Sequence, residues 1–284
     1  MSDVPRDEFD RLHLAWTHPL VNEWAIPTPI LDAAPESPYG FPTQLFVRRG
    51  ERSIGRERAP TTARALDALG EGGTVLDVGA GGGATSLPLA ERCTHLTAVD
   101  AGSEMLAAVA ETAARVGVPI DVIEGTWPGI ESSVPVADVV VCGHVTYNVH
   151  DLGSFVRALD LHARRRVVIE LTERHPLSWM NDLWLRFHDL TRPDRPTADD
   201  AIALVRSEGY EVSSEDRVDS EDVAGSGFER REDAVALVRR RLCLPADRDD
   251  EIGEALGSRL TEHDGLWRAG PRDQRVVTMW WDKP

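Results

Sequence analysis

"VLDVGAGGGATSLPLA", residues 75–90, places Gly79, Gly81, Gly82 and Gly83 within five positions, between an apolar run and a run with helical spacing. A strand that ends in such a turn and opens a helix offers a surface without Cβ atoms. It also leaves backbone N–H groups at the helix start without intrahelical partners. A backbone built this way passes close to a ligand, and two nucleotide patterns fit it. Gly79, Gly81 and Ala84 match G-x-G-x-x-G/A, in which a helix N-terminus holds a pyrophosphate. Asp77 to Gly83 also reads D-x-G-x-G-x-G.

Working outward, short apolar runs alternate with helical patterns. "TVLDVG" (74–79), "HLTAVD" (95–100), "PIDVIEG" (119–125), "VADVVVCG" (136–143) and "RRVVIELT" (165–172) read as strands. "ATSLPLAERC" (84–93), "GSEMLAAVAETAARVG" (102–117) and "DLGSFVRALDLHA" (151–163) read as the helices between them. This alternation implies right-handed βαβ units and an α/β fold with a parallel sheet covered on both faces. Upstream, "DEFDRLHLAWTHPLVNEWA" has helical spacing, a Pro-rich connector follows, and "TTARALDALGEGG" reads as a helix capped near Thr61 or Thr62 and ended by Gly70. Downstream, 174–196 suggests a helix laid over the sheet, and Thr197 with Asp200 caps a helix over 197–209. A strand at 210–218, helices at 228–244 and 248–263, and a final β-rich run complete the chain. Three parts follow: an N-terminal helical lid (1–70), a ligand-binding core (71–218), and a helical insertion with the last strand (219–284).

Two carboxylates discriminate between the nucleotide patterns. Asp77, at the mouth of a pyrophosphate site, would repel the phosphates, whereas beside an ammonium it is favourable. Asp100, at the end of the next strand, can accept hydrogen bonds from both hydroxyls of a ribose. A ligand with a ribose, no phosphate and a cationic amino-acid end has the features of S-adenosylmethionine.

At this point the stretch resembles the first motif of the class I S-adenosylmethionine-dependent methyltransferases, a family with a Rossmann-like, mostly parallel seven-stranded sheet. "VLDVGAGGG" is similar to the family's V-L-D-x-G-x-G-x-G, "LTAVDAGSEML" to its second strand, and the likeness extends over about 60–216. The resemblance implies that Gly79, Ala80, Gly81 and Gly83 lie along the methionine part of the cofactor and that Asp77 helps fix its amino group. Asp100 would hold the ribose, with Ala101 beside the adenine. Where many members place Gly-Asp after the third strand, this chain has Glu124-Gly125-Thr126-Trp127. Gly125, Thr126 and Trp127 are therefore expected to replace that acid at the adenine.

The fourth strand ends at "VCGHVTYNVHD", which puts His144, Thr146, Tyr147 and Asn148 where methyl and acceptor meet. His144 and Tyr147 are the candidate catalytic residues, with His144 also a cofactor contact. His150, Glu170, Glu173 and His175 stand on the same rim. The N/D-P-P-Y signature of adenine and amino methylation is absent. Trp16, Trp24, Tyr39, Phe41 and Phe46 upstream, and Trp179, Met180, Trp184, Phe187 and His188 downstream, suggest an aromatic lid over a small molecule. The helices at 228–263 either complete that lid or form a homodimer interface.

A formal charge of −17 over 284 residues disfavours a nucleic-acid partner. Arg164–Arg166 and Arg239–Arg241 read as solvated faces or helix ends. The three distant cysteines show no metal-ligand spacing, no stretch has the length of a membrane helix, and the acidic start is unlike a signal peptide. The expectation is a cytoplasmic, metal-free methyltransferase of small molecules. Against it stand an RNA or protein methyltransferase, a nicotinamide-dependent oxidoreductase, and a non-catalytic relative.

Overall fold

β1 (Gly73–Val78) lies at the centre of a seven-stranded sheet, and the order of the strands around it decides where a ligand can sit. In the computed structural model, which describes residues 6–40, 42–55, 59–220, 227–271 and 273–284, the chain opens with α1 (Arg6–His18), extended by a π-helical turn at Pro19–Glu23. There follow α2 (Thr28–Asp32), α3 (Thr43–Ser53), α4 (Pro60–Leu69), β1, β2 (Cys93–Asp100), α5 (Ser103–Arg115), β3 (Ile120–Glu124), β4 (Ala137–Gly143) and α6 (Leu152–Leu161). Next come β5 (Ala163–Thr172), α7 (Asn181–His188), α8 (Ala198–Ser207), β6 (Ser213–Ser220), α9 (Arg231–Arg241) and α10 (Asp249–Leu256). The hairpin β7 (Leu260–His263) and β8 (Leu266–Ala269) precedes β9 (Asp273–Asp282). Phe41 lies outside the described residues.

The strand order is β3-β2-β1-β4-β5-β9-β6, with β1 to β5 parallel and β9 antiparallel to both neighbours. This is the expected Rossmann-like seven-stranded sheet. The apolar runs alternate between its two faces. Val75, Leu96, Ala98, Val139, Val141 and Val168 pack against Leu66 and Leu69 of α4 and Leu106 and Val109 of α5. Leu76, Val78, Val99, Val140, Cys142 and Ile169 pack on the other face with Trp16, Phe155, Leu159 and Leu204. Burial on both faces is why the central strands read as unbroken β-branched runs. A third apolar cluster, apart from the sheet, joins α7, α9 and α10 through Met180, Trp184, Val235, Val238 and Ile252, with Ile26 and Ile30 packed on it. It forms a cap.

Several local expectations are corrected. No α-helix follows the glycine turn: 84–93 is turns around a 3-10 segment, Leu87–Leu89. Pro88 cannot donate to residue 84 and its ring crowds that carbonyl, so the helix stops before it starts. Thr61 and Thr62 do not cap α4. Pro60 takes the first helical position and the Thr61 hydroxyl turns inward to Glu170 and, at 2.6 Å, Thr278. The helix expected over 248–263 ends at Leu256, where Gly257 (φ +52°) turns the chain into the hairpin. The Pro-rich connector contains the short α2. The Thr197/Asp200 pair forms the expected capping box on α8. The basic clusters are engaged within the fold: Arg166 with Asp282, Arg239 with Glu36 and Asp249, Arg240 with the Gly40 carbonyl. Cys93, Cys142 and Cys243 are free and buried. Among the described residues, no helix is long and apolar enough to cross a membrane.

Candidate active site

Strand order reverses between β1 and β4, and the crevice beyond their carboxyl ends is where an open α/β sheet receives a ligand. A cavity of about 430 Å³ lies there. Its floor is the glycine turn. Gly79 and Gly81 take left-handed backbone (φ +73° and +50°), accessible at little cost only without a Cβ. At Gly79 a Cβ would stand 2.2 Å from Val145 Cγ2, so the turn and the loop after β4 close on each other. Gly81 faces open space, with Phe46 3.7 Å away as the nearest neighbour of a Cβ there. At Gly82 a Cβ would lie 2.1 Å from the Phe46 carbonyl oxygen, and at Gly50 one would lie 1.9 Å from that of Gly82. Helix α3 thus rests backbone against backbone on the turn, and its Phe46 and Arg49 roof the cavity.

Asp100 ends β2 on the cavity wall. Its Oδ2 accepts the Gly81 N–H at 2.9 Å and its Oδ1 the Gly102 N–H at 2.8 Å. A carboxylate offers about four acceptor directions, so about two stay open. Asp77 lies below the turn, fully buried and off the cavity wall, and neither oxygen has a hydrogen-bond partner. Burial pushes its carboxyl up to about 7. The nearby Ser86 hydroxyl, outside hydrogen-bond geometry, opposes the shift, and the charge of Asp100 adds a little to it.

At the opposite end, His144 has left-handed backbone (φ +59°), uncommon for a residue with a Cβ and frequent at functional positions. Its Nε2 lies 2.7 Å from Arg49 Nη2 and 3.0 Å from Glu170 Oε1, and its Nδ1 lies 3.3 Å from Tyr147 Oη. Glu170 is buried, paired through Oε2 with Arg217 at 2.9 Å, and Arg217 in turn holds Asp219. Burial, then the Arg49 charge, lower the His144 pKa, outweighing Glu170, so the imidazole is neutral near pH 7. The same partners, His144 first and Arg217 after it, overcome the burial of Glu170 and hold its carboxyl well below the usual range. Burial pushes the Tyr147 phenol up, against its contacts with Thr172.

Of the residues singled out in the sequence, Gly79, Ala80, Gly81, Asp100, Ala101, Gly125, Thr126, Trp127 and His144 line this one cavity. Asp77, Gly83 and Tyr147 do not. At Gly83 a Cβ would strike Val109 and Leu87, so its role is packing. Tyr147 sits behind His144. Trp127 is 7% exposed, edge-on to His162 at 4.8 Å, with its indole Nε1 unpartnered. Thr146 is fully buried, and Asn148 reaches the cavity. Glu173 pairs with Arg275, and His150 is exposed. Of the ten lid aromatics and their neighbours, Phe46 reaches the cavity, Trp16 is core, and Tyr39 is exposed. Met180, Trp184 and the half-buried Trp179 and Phe187 belong to the cap cluster, and His188 binds the Leu242 carbonyl. Arg49 was missed. Its contact with His144 spans 95 positions, and no local pattern in "FVRRGER" marks it.

Residues 75–164 match a family model described as a methyltransferase domain. The matched stretch takes in the glycine turn, Asp100 and His144, and this decides against the dinucleotide pattern. Among curated proteins, the chain is 23% identical over 186 residues to a ubiquinone biosynthesis O-methyltransferase of Rickettsia conorii, covering 61% of this chain and 64% of that one. It is 33% identical over 112 residues to the enzyme of that name from Aeromonas salmonicida, covering 38% and 47%. The match therefore spans less than two thirds of either relative. Among solved structures, an S-adenosylmethionine-dependent methyltransferase from Thiobacillus denitrificans in complex with S-adenosyl-L-homocysteine superposes with a TM-score of 0.49 at 17% identity, covering 86% of this chain and all of that one. Residues 75–164 thus match a methyltransferase domain, and the glycine turn and strand order around them are those expected from the resemblance to the class I S-adenosylmethionine-dependent methyltransferases.

Proposed function

We propose that this protein transfers a methyl group from S-adenosylmethionine to a small organic acceptor. The observation that carries the reading is the one cavity that runs from Asp100 to His144 across the carboxyl ends of β1, β2 and β4. Its walls fit the cofactor. The open acceptor directions of Asp100 suit two ribose hydroxyls. The uncovered face of Gly81 admits a close approach. The orphaned carboxylate of Asp77, under the turn, favours an ammonium above it, and the Arg49 guanidinium suits the cofactor's carboxylate. Ala101, Gly125, Thr126 and Trp127 form the adenine end.

When bound, S-adenosylmethionine supplies a methyl group on a sulfonium leaving group, so alignment with the acceptor governs the rate. The chain's own part is to exclude water under α3 and to hold the acceptor at the His144 end. A neutral His144 in the tautomer whose Nε2–H donates to Glu170 Oε1 presents a bare Nδ1, which takes the proton of a hydroxyl acceptor in place of its 3.3 Å contact with Tyr147 Oη. Glu170 orients the ring and stabilises it once charged. A small acceptor suits a cavity of about 430 Å³ and the acidic surface, and a cytoplasmic setting without a nucleic-acid partner is part of this reading.

The test is methyl transfer from S-adenosylmethionine labelled on the methyl group, with a metabolite extract, bulk RNA and bulk protein as separate acceptors. Label is expected in the small-molecule fraction. Label confined to RNA or protein would overturn the choice of acceptor.

A further inference from the structure

Arg192 is 6% exposed, yet among the described residues no carboxylate pairs with it. Its Nη1 donates to the carbonyls of Glu23, Trp24 and Ala25 at 3.2, 2.7 and 3.0 Å, and its guanidinium lies over the Trp184 ring at 4.1 Å. Nε is buried without a partner, and Nη2 makes no hydrogen bond to the described residues. Of the five N–H donors of a guanidinium, the adjacent pair used in side-on binding of a carboxylate is therefore unspent. A buried cation left this way is costly. By contrast, the partly buried Arg217 faces Glu170 and Asp219, and the partly buried Arg239 faces Glu36 and Asp249.

Arg192 does not line the cavity but connects to its His144 end through a chain of packed rings. Trp24, whose carbonyl it holds, stacks on His175 with ring centroids 3.9 Å apart. His175 meets Tyr147 edge-on at 5.7 Å, and Tyr147 backs His144 on the cavity wall. A second buried guanidinium, Arg241, ties down the Pro38 and Gly40 carbonyls from α9. Burial, with the charges of Arg192 and Arg241 adding to it, holds His175 down at about 4, so its ring brings no charge of its own.

We infer that the methyl acceptor carries a carboxylate, which docks on the free Nε–Nη2 edge of Arg192 beneath the cap while the reacting atom lies at His144. The inference rests on the methyltransferase reading and narrows its substrate class. A paired, desolvated carboxylate offsets the burial of the cation and orients the acceptor by a two-point contact.

The probe is benzoate, compared with uncharged benzamide at matched ionic strength, on the full chain saturated with S-adenosylhomocysteine. Thermal shift and quenching of tryptophan fluorescence are the readouts. Benzoate is expected to bind saturably and benzamide at least tenfold more weakly, the scale of a hydrogen bond to a charged group. Arg192→Gln should lower benzoate affinity by tenfold or more, with S-adenosylhomocysteine affinity unchanged and Arg192→Lys retaining part of it. Equal binding of benzoate and benzamide, or no saturable benzoate binding, would overturn the inference even if Arg192→Gln does not fold. Binding of phenylphosphate with benzoate silent would overturn it too. Failure of S-adenosylhomocysteine to bind at all would instead remove the methyltransferase reading beneath it.

Discussion

The two walls of the cavity are built on opposite principles. The cofactor wall comes from one continuous stretch, with Gly79, Asp100 and Trp127 each at the end of one of three neighbouring strands. The acceptor wall is assembled from distant pieces: Arg49 on α3, His144 after β4, Glu170 on β5, Arg217 on β6 and His175 beyond β5. The first holds its shape through backbone conformation and close glycine contacts. The second holds it through buried charge pairs. Removing a charge should therefore damage the second wall chemically, whereas adding a methyl group should damage the first sterically.

The largest effect is expected at His144. Replacing it with Gln should lower kcat by about 10²–10⁴ for a hydroxyl acceptor, the usual contribution of a positioned proton acceptor, with cofactor affinity little changed. Labelled-methyl turnover beside cofactor titration separates the two. A variant with unaltered kcat would mean that alignment alone suffices on this wall.

Next comes Gly50, where α3 meets the turn. An added Cβ 1.9 Å from the Gly82 oxygen forces the roof away, at about 1–3 kcal/mol for an overpacked contact. Gly50→Ala should weaken S-adenosylhomocysteine binding roughly in proportion, about tenfold, while far-ultraviolet circular dichroism stays that of the folded sheet. Unchanged affinity would show that α3 does not seal the cofactor.

Legibility in the sequence follows the same division. The parallel sheet is readable because its strands are buried on both faces, and its turn because Gly79 and Gly81 need left-handed backbone. Asp100 is readable because it closes a strand adjacent to β1. Pro88 cancelled the helix after the turn, so the floor is backbone and carboxylate with no helix end behind it. Of the Glu170–His144–Arg49 arrangement, Glu170 and His144 were visible only as rim candidates and Arg49 not at all, since register between β4 and β5 and the docking of α3 bring them together. Most cap aromatics kept their helical spacing for packing, not for the cavity.

A further effect concerns stability rather than binding or turnover. Asp77 has a carboxyl near 7 in the fold against 3.8 ordinarily. Between these values the folded chain holds a proton that the unfolded chain has lost. The contribution of this group is thus greatest near pH 4 and is lost as pH rises through about 7. Asp77→Asn should be more stable than the parent at pH 8, by up to a few kcal/mol. That advantage should shrink toward pH 4.5 in thermal melts, and one constant across pH would contradict the burial argument.

The central claim is that this turn holds S-adenosylmethionine rather than a dinucleotide. Calorimetric titration of the full chain with S-adenosylhomocysteine and with NADH tests it most directly. The account predicts that the first binds and NADH does not, and that Asp100→Ala weakens binding by about 1–3 kcal/mol, the scale of lost charged hydrogen bonds. Binding of NADH without S-adenosylhomocysteine would contradict it.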